Sequence, residues 1–189
     1  MKMTNEAWQN AQLKEINYAN IDPENARKDV NIIFNYFGDR ESLSGKHILE
    51  VGCGTYPLSS FIDGVTITGV EPLFDNFSDE VKQYWNDKNI KVVSQAFEDF
   101  KAPRKKYDEV WFFNFLQHTP NLVECVEKAK KVAKKVRVFE PINTAIDELH
   151  FNNLTIDFFR EQFPTTEIKV YTGGSQPNFH TADCVYFLT

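Results

Sequence analysis

Apolar residues along this chain fall into short runs, separated by longer segments in which they recur at helical spacing. The runs are rich in branched and aromatic residues, which is typical of strands buried on both faces of a parallel sheet. Five such runs lie at 48–51, 65–70, 90–93, 110–113 and 136–139. Strands that alternate with helices predict an α/β protein with a mostly parallel sheet.

The segments between the runs carry helix signals. Asp22 is a predicted N-cap followed by Pro23 at the first helical position, and Gly38 ends the apolar stripe of that helix. Alternating segments at 167–171 and 183–188 are predicted as closing strands joined by a turn rich in Gly and Pro. Apolar spacing predicts further helices at 5–18, 55–62, 77–85, 121–135 and 155–163.

The first strand run ends in a glycine turn. Gly52 and Gly54 are separated by one residue, and glycine lets a backbone turn sharply and approach a ligand closely. The next run ends at Glu71, where a carboxylate is placed to accept from both hydroxyls of a ribose. An ordinary strand-to-helix turn has similar glycines, but the acid after the second strand favours a site for a nucleoside-bearing cofactor.

The position after the glycine pair distinguishes between cofactors. A dinucleotide-binding turn needs a third glycine for close packing of helix and strand over a pyrophosphate. Pro57 stands in that position. A nicotinamide cofactor is therefore disfavoured, and an oxidoreductase is the most distant alternative.

Four segments resemble the motifs of the class I S-adenosylmethionine-dependent methyltransferases. The first is similar to the acidic-x-Gly-x-Gly motif of that family, and the last resembles its Leu-Glu-His turn. They follow one another in family order and spacing within residues 46–140, as Glu50-Val51-Gly52-Cys53-Gly54, Gly69-Val70-Glu71-Pro72, Ser94-Gln95-Ala96-Phe97-Glu98-Asp99, and Tyr107-Asp108-Glu109-Val110 running on to Asn114-Phe115-Leu116-Gln117-His118.

The resemblance implies a fold and a division of the chain. The fold is a Rossmann-like three-layer α/β/α sandwich with a seven-stranded, mostly parallel sheet, a C-terminal antiparallel hairpin and additional N-terminal helices. A single domain is expected over residues 1–189. Within it, residues 1–40 are expected to supply N-terminal helices and a lid, 46–140 the cofactor-binding core, and 141–189 the substrate-side loop and the closing hairpin.

The resemblance also implies which residues contact S-adenosylmethionine. Many members place an aspartate against the adenine amino group, whereas this chain has Gln95, whose amide oxygen is also an acceptor. Glu98 and Asp99 are alternative partners for the adenine. The predicted cofactor contacts are Glu50, Gly52, Cys53, Gly54, Glu71, Pro72, Gln95, Ala96, Phe97, Asn114 and Phe115. The product is S-adenosylhomocysteine, and no metal is expected.

Most of the residues predicted to contact the methyl acceptor follow the fourth strand. His118 is the candidate catalytic acid or base, with a structural hydrogen bond that holds its turn as the alternative. The loop 144–153 follows the fifth strand, a place where substrate contacts are often mounted. The predicted substrate contacts are Tyr18, His118, His150 and Tyr171.

Composition limits the classes of binding partner that this protein is expected to have. A net charge of −6 at pH 7 disfavours a protein whose whole surface holds nucleic acid, although a basic helix is predicted at 128–137. The 3 cysteines have neither disulfide nor zinc spacing, which fits a reducing cytoplasm. We expect no membrane association and a monomer or homodimer.

We therefore expect a methyltransferase that transfers the methyl group by in-line displacement to an oxygen or nitrogen nucleophile of a small molecule. One alternative is an RNA or protein methyltransferase that uses the basic helix 128–137. Another is a partner subunit that binds S-adenosylmethionine without turnover.

Overall fold

The computed structural model describes residues 10, 11, 14, 22–172 and 182–189. The predicted helix at 5–18 and the candidate substrate contact Tyr18 thus lie largely or wholly outside the described residues. The helices and strands of the described parts are α1 (Pro23–Phe37), β1 (His47–Val51), β2 (Thr66–Val70), α2 (Asp79–Asp87), β3 (Lys91–Val93), β4 (Tyr107–Phe113), α3 (Leu122–Val132), β5 (Ala133–Pro141), α4 (Ile156–Gln162), β6 (Lys169–Tyr171) and β7 (Cys184–Leu188).

All of these strands join in one sheet, in the order β3-β2-β1-β4-β5-β7-β6. The pairs from β3 to β5 are parallel, whereas β7 runs antiparallel to both β5 and β6. Strand order reverses between β1 and β4, so the carboxyl ends of these two strands form the topological switch point at which open α/β sheets bind ligands. The predicted seven-stranded, mostly parallel sheet is confirmed.

Alternation of side chains along each strand separates two apolar layers. On one face, Phe34 of α1 packs on Trp111 of β4 with ring centroids 5.4 Å apart, and Trp85 of α2 fills the space over Gly69. On the other face, residues of β1, β4 and β5 share a buried cluster with residues of α3 and α4. Helices on both faces of the sheet complete the predicted three-layer sandwich.

The predicted helix at 55–62 is wrong. Only a short 3₁₀ turn forms there, at Leu58–Phe61. Its first amide groups are taken by the Glu50 carboxylate, which accepts from Leu58 N and Ser59 N at 2.8 Å each. The conformation of this segment is thus set by the buried Glu50 side chain of β1, and the helical spacing of its apolar residues does not predict it.

The predicted helix at 121–135 ends early, because α3 stops at Val132 and β5 begins at Ala133. The ladder between β4 and β5 already pairs Tyr107 with Ala133. Lys105 Nζ donates to the carbonyl of Ala133 at 2.6 Å and so ties the junction to the loop before β4. A basic helix at 128–137 therefore does not exist, since its second half is strand.

The residues of that basic segment do not share one surface. Lys128 Nζ donates to the carbonyls of Phe97 at 2.8 Å and Phe100 at 3.0 Å. Arg137 is wholly buried in β5. Its guanidinium binds Glu109 and Asp39 in an ion network within the layer under α1. The first and last basic residues of the segment therefore make contacts within the fold.

Candidate functional site

The two glycines after β1 differ in the space around the position of a Cβ. Both have left-handed backbone, with φ of 63° at Gly52 and 59° at Gly54. A Cβ on Gly52 would lie 2.4 Å from Cδ2 of Phe115, whose ring crosses the switch point from the end of β4. A Cβ on Gly54 would meet nothing within 4 Å. The turn is therefore closed on the Phe115 side and open over Gly54.

Glu71 lies at the tip of β2, beside this open turn. Its carboxylate accepts from Gly54 N and Leu73 N, both at 2.9 Å. The residue is 5% exposed. These two bonds fix the carboxylate at the edge of the open turn over Gly54.

Glu50 faces the interior of the loop. Its two carboxylate oxygens accept from the amides that begin the 3₁₀ turn. Burial raises its pKa from 4.5 to about 7, against the lowering effect of these hydrogen bonds. Glu50 therefore holds the outgoing limb of the glycine turn, and a direct cofactor contact stays a prediction.

Cys53 lies between the glycines. Burial, together with the nearby carboxylates of Glu50 and Glu71, raises the pKa of its thiol well above the ordinary value. The Sγ atom lies 3.8 Å from the carbonyl oxygen of Val70. A protonated thiol packed on the backbone is suited to contact a ligand and unsuited to act as a nucleophile.

The segment after β3 carries the predicted adenine contacts. Gln95 N donates to the carbonyl of Val93 at 3.0 Å and begins the turn. Phe97 is buried, and its ring packs against Phe112 at 5.9 Å. Glu98 accepts from the hydroxyl of Thr119. Since Glu98 is engaged there, Gln95 remains the better candidate for the adenine amino group.

The turn after β4 stands on the other side of the glycine turn. Asn114 has a left-handed φ of 59°, and its side-chain oxygen accepts from Gln117 Nε2 at 2.7 Å. The Phe115 ring stacks on Phe112 with centroids 5.6 Å apart. The predicted contacts Asn114 and Phe115 thus lie across the switch point from Gly52, where the resemblance expects the methionine end of the cofactor.

Glu140 at the end of β5 is a site residue that the sequence analysis missed. Its Oε1 accepts from Phe115 N at 2.7 Å and Leu116 N at 3.0 Å. Burial raises its pKa from 4.5 to about 8, against the lowering effect of these two bonds. Its Oε2 has no hydrogen-bond partner among the described residues. The sequence does contain a signal for Glu140: an acidic residue directly after a buried apolar run needs a hydrogen-bonding partner inside the protein.

His118 and His150 are brought together by the structure, with ring centroids 4.9 Å apart. His118 Nδ1 lies 3.0 Å from the carbonyl oxygen of Leu149 and therefore donates to it. His118 Nε2 lies 3.3 Å from Gln117 Nε2. Both ring nitrogens of His118 thus have partners within its own turn and the following loop, as the structural alternative predicted.

The loop after β5 is fastened to this turn. Phe151 N and Asn152 N donate to the carbonyl of Gln117 at 2.8 and 3.2 Å. Glu148 in the same loop pairs with Lys14 of the N-terminal segment. The loop 144–153 therefore lies at the carboxyl edge of the sheet, and one N-terminal residue reaches it.

Tyr171 lies in a different environment. Its ring packs on Tyr36 of α1 at 4.7 Å and on Phe139 at 6.4 Å. Burial and the neighbouring phenol of Tyr171 raise the pKa of Tyr36. The structure thus places Tyr171 in an aromatic cluster with α1, and its role as a substrate contact stays a prediction.

The described residues contain no group of three His, Cys, Asp or Glu side chains that could hold a metal ion. None of the described helices has the length and apolarity needed to cross a membrane.

Residues 49–137 match the family model of a methyltransferase domain. The matched segment contains the glycine turn, Glu71 and the turn after β4. This is a methyltransferase domain. The resemblance to the class I enzymes is thereby confirmed. No curated protein sequence matches the chain.

Solved structures with the same fold include several methyltransferases. The plantazolicin methyltransferase BpumL, solved with a triazolic desmethyl analogue and S-adenosylhomocysteine, is 14% identical, with a TM-score of 0.62 and coverage of 98% of each chain. Magnesium protoporphyrin IX methyltransferase from Synechocystis PCC 6803, with bound S-adenosylhomocysteine, is 13% identical, with a TM-score of 0.65 and coverage of 87% of this chain and 83% of that one.

A third structure is 1,6-didemethyltoxoflavin-N1-methyltransferase from Burkholderia thailandensis, with bound 1,6-didemethyltoxoflavin and S-adenosylhomocysteine. It is 10% identical, with a TM-score of 0.62 and coverage of 88% of this chain and 78% of that one. At these identities the likeness is one of fold.

Proposed function

We propose that this protein transfers the methyl group of S-adenosylmethionine to an oxygen or nitrogen nucleophile of a small molecule. The observation that carries the proposal is the Glu71 carboxylate, held against the amide of Gly54 beside a turn that is open above that glycine. A nucleoside with an amino-acid tail fits such a turn, since no third glycine provides for a pyrophosphate.

The cofactor-binding residues follow from the geometry of the edge. Glu71 would accept from the ribose hydroxyls, and Gln95 is placed after β3 for the adenine amino group. Gly52, Asn114 and Phe115 would border the methionine end. The other predicted contacts follow the first three strands: Cys53 lies after β1, Pro72 after β2, and Ala96 and Phe97 after β3.

The chemistry that S-adenosylmethionine supplies is a methyl group already activated by the sulfonium, so the protein's contribution is placement. The turn after β4, fixed by Glu140 and Gln117, sets the wall beside the reacting groups. Such positioning alone contributes several orders of magnitude to rate. Exclusion of water requires a cover, for which the lid predicted within residues 1–40 is the candidate, and Lys14 pairs with Glu148 of the loop after β5.

A small molecule is the favoured acceptor for two reasons. Two of the basic residues of 128–137, Lys128 and Arg137, make internal contacts, which reduces the basic surface on which the RNA alternative rests. The toxoflavin enzyme of the same fold was solved with a small-molecule acceptor bound, and we extend that class of substrate to this chain by analogy.

Calorimetry with S-adenosylmethionine and, separately, with NAD tests the cofactor. We expect heat of binding with the former and none with the latter, and the reverse pattern would contradict the proposal. A labelled-methyl assay against metabolite, RNA and protein fractions then tests the acceptor. Label is expected in the metabolite fraction, and binding without label in any fraction would indicate a non-catalytic binding subunit.

Gly54→Ala is expected to weaken S-adenosylmethionine binding by about tenfold or more, because its Cβ would point into the open space over the turn. Gly38→Ala is the matched control, since Gly38 also has a left-handed φ of 68° and open space around its missing Cβ. Both variants should lose about 1 kcal/mol of stability from backbone strain. Only the first should lose affinity, and equal affinities in calorimetry would contradict the placement of the cofactor.

Glu71→Ala is expected to weaken S-adenosylmethionine binding by about 1 to 3 kcal/mol, the usual effect of losing a charged acceptor of buried hydrogen bonds. Glu71→Gln should lose less, because one side-chain oxygen can still accept from an amide. Thermal unfolding measured alongside separates lost affinity from a loosened turn. Unchanged affinity in the alanine variant would mean that the ribose is held elsewhere.

A further inference from the structure

Asp147 and His150 form a pair in the loop after β5. His150 Nδ1 lies 3.0 Å from Asp147 Oδ1 and 2.9 Å from Oδ2. The same carboxylate accepts from the backbone amides of Leu149 and His150, both at 2.8 Å. Although burial raises the pKa of Asp147, the hydrogen bonds from His150 lower it to about 2. The carboxylate is therefore ionised and fixed by its own turn.

An ionised carboxylate against Nδ1 determines the tautomer of His150. A carboxylate only accepts hydrogen bonds, so the proton of the neutral ring lies on Nδ1 and the lone pair on Nε2. A carboxylate that orients a neutral imidazole in this way also stabilises the imidazolium formed when Nε2 takes up a proton. The His150 side chain is 23% exposed, so it is held in place and still accessible.

The ring of His118 next to it contacts a backbone carbonyl and a side-chain amide. Its Nδ1 donates to a backbone carbonyl, and its Nε2 lies within reach of the Gln117 amide. A neutral carbonyl stabilises an imidazolium less than a carboxylate does. His150 is thus an imidazole at this edge whose orientation is set by a carboxylate.

Hydrogen bonds connect His150 to the wall of the proposed site. Gln117 joins Asn114 to the loop, since its side chain donates to Asn114 and its carbonyl accepts from the amide of Phe151. The His150 ring packs beside that of His118, which extends from the same turn. The pair is thus mounted on the structure that borders the methyl-donor end.

We propose that His150 is the general base of the methyl transfer, with Asp147 as its positioning residue, and that the acceptor is a hydroxyl group. This rests on the proposed methyltransferase function and assigns its substrate class. The hydroxyl oxygen forms the new bond to the methyl carbon, and the electron pair of the broken carbon–sulfur bond stays on sulfur. The hydroxyl proton passes to His150 Nε2 and then to water. A carboxylate acceptor would need no such base.

The first test uses labelled S-adenosylmethionine and the small-molecule fraction of a cell extract. His150→Ala should lower turnover by about 100-fold or more while calorimetric affinity for S-adenosylmethionine is unchanged. Added imidazole should restore part of the turnover, which a merely structural role for His150 would not allow. The labelled product should be an ether, stable to mild alkali that releases methanol from an ester.

Asp147→Asn should lower turnover with little change in KM, because the amide no longer fixes the tautomer. His47→Gln is the matched control, since His47 lies at the amino end of β1 and contacts Thr68. It should leave turnover unchanged. Full turnover in His150→Ala, or a base-labile product, would overturn the assignment and leave methyl transfer itself standing.

A second measurement needs no acceptor. In the ¹⁵N spectrum of the free protein at about pH 8, where imidazoles are largely neutral, the His150 proton should lie on Nδ1. The opposite tautomer would overturn the proposal. If the wild-type protein binds no S-adenosylmethionine, the proposed function fails and the base with it, which distinguishes that failure from a wrong base.

Discussion

Replacing Arg137 with methionine is expected to lower the free energy of unfolding by about 3 to 5 kcal/mol, the usual effect of removing one partner from a buried ion pair. Arg137 Nε donates to Glu109 Oε2 at 2.8 Å, and its terminal nitrogens donate to Asp39 at 2.9 and 2.8 Å. Glu109 is wholly buried. The variant leaves its charge with only Lys46 and the Trp111 indole as partners.

The pH dependence of this loss has a definite sign. Although burial raises the pKa of Glu109, hydrogen bonds and charge from Arg137 lower it below its ordinary value. That contribution to stability exists above the ordinary pKa and is lost as the pH falls through the lowered one. The variant should therefore be most destabilised near neutral pH and less so in acid, where Glu109 takes up a proton.

Urea unfolding at several pH values measures the effect. Lys134→Met is the matched control, because Lys134 is a cation of the same strand whose pair with Asp108 lies at the surface, and it should cost less than about 1 kcal/mol. The double variant Arg137→Met, Glu109→Gln should recover part of the loss by removing the buried charge that Arg137 no longer pairs. Equal effects of Arg137→Met and Lys134→Met would contradict the network.

Glu140→Gln is expected to remove the pH dependence of the unfolding free energy that comes from the titration of this one carboxyl group. The pKa of Glu140 is raised from 4.5 to about 8 in the folded protein, so the folded state holds a proton that the unfolded state has released. Stability from this group is complete below pH 4.5 and falls as the pH rises toward 8, by about 1.4 kcal/mol per pH unit. The glutamine variant lacks this decline.

The measurement is the difference in unfolding free energy between wild type and variant from about pH 5 to 8. That difference should shift in favour of the variant as the pH rises. Glu127→Gln is the matched control, because the hydrogen bond from Lys130 lowers the pKa of this half-exposed carboxyl. Parallel curves for Glu140→Gln and wild type would mean that Glu140 is ionised in the folded state.

The strands and their chemistry at the carboxyl edge could be predicted from the sequence, because short apolar runs and glycine turns are local signals. The glycine turn and Glu71 are placed side by side by the pairing of β1 with β2, as the motif spacing indicated. The end of α3 could not be predicted in this way. A run of lysines suits an exposed helix and an exposed strand equally, and the ladder with β4 decided it.

The buried polar partners could not be predicted either, because they join residues far apart in sequence. Arg137 and Asp39 are 98 positions apart, and a charged residue in a lysine-rich segment gives no sign that it is buried. Glu140 and the amide of Phe115 are 25 positions apart. By contrast, Asp147 and His150 are only 3 positions apart, so their pairing is a local feature that the sequence can indicate.

The uninterrupted passage from α3 into β5 has a mechanical consequence. Lys128 on α3 holds the backbone of the adenine-side segment, and Glu140 at the end of β5 holds the backbone of the acceptor-side turn. One continuous segment, α3 followed directly by β5, therefore contacts both sides of the proposed site. Loosening the contacts on one side is therefore expected to loosen those on the other. The methyl-donor side and the acceptor side of the site should then open and close together.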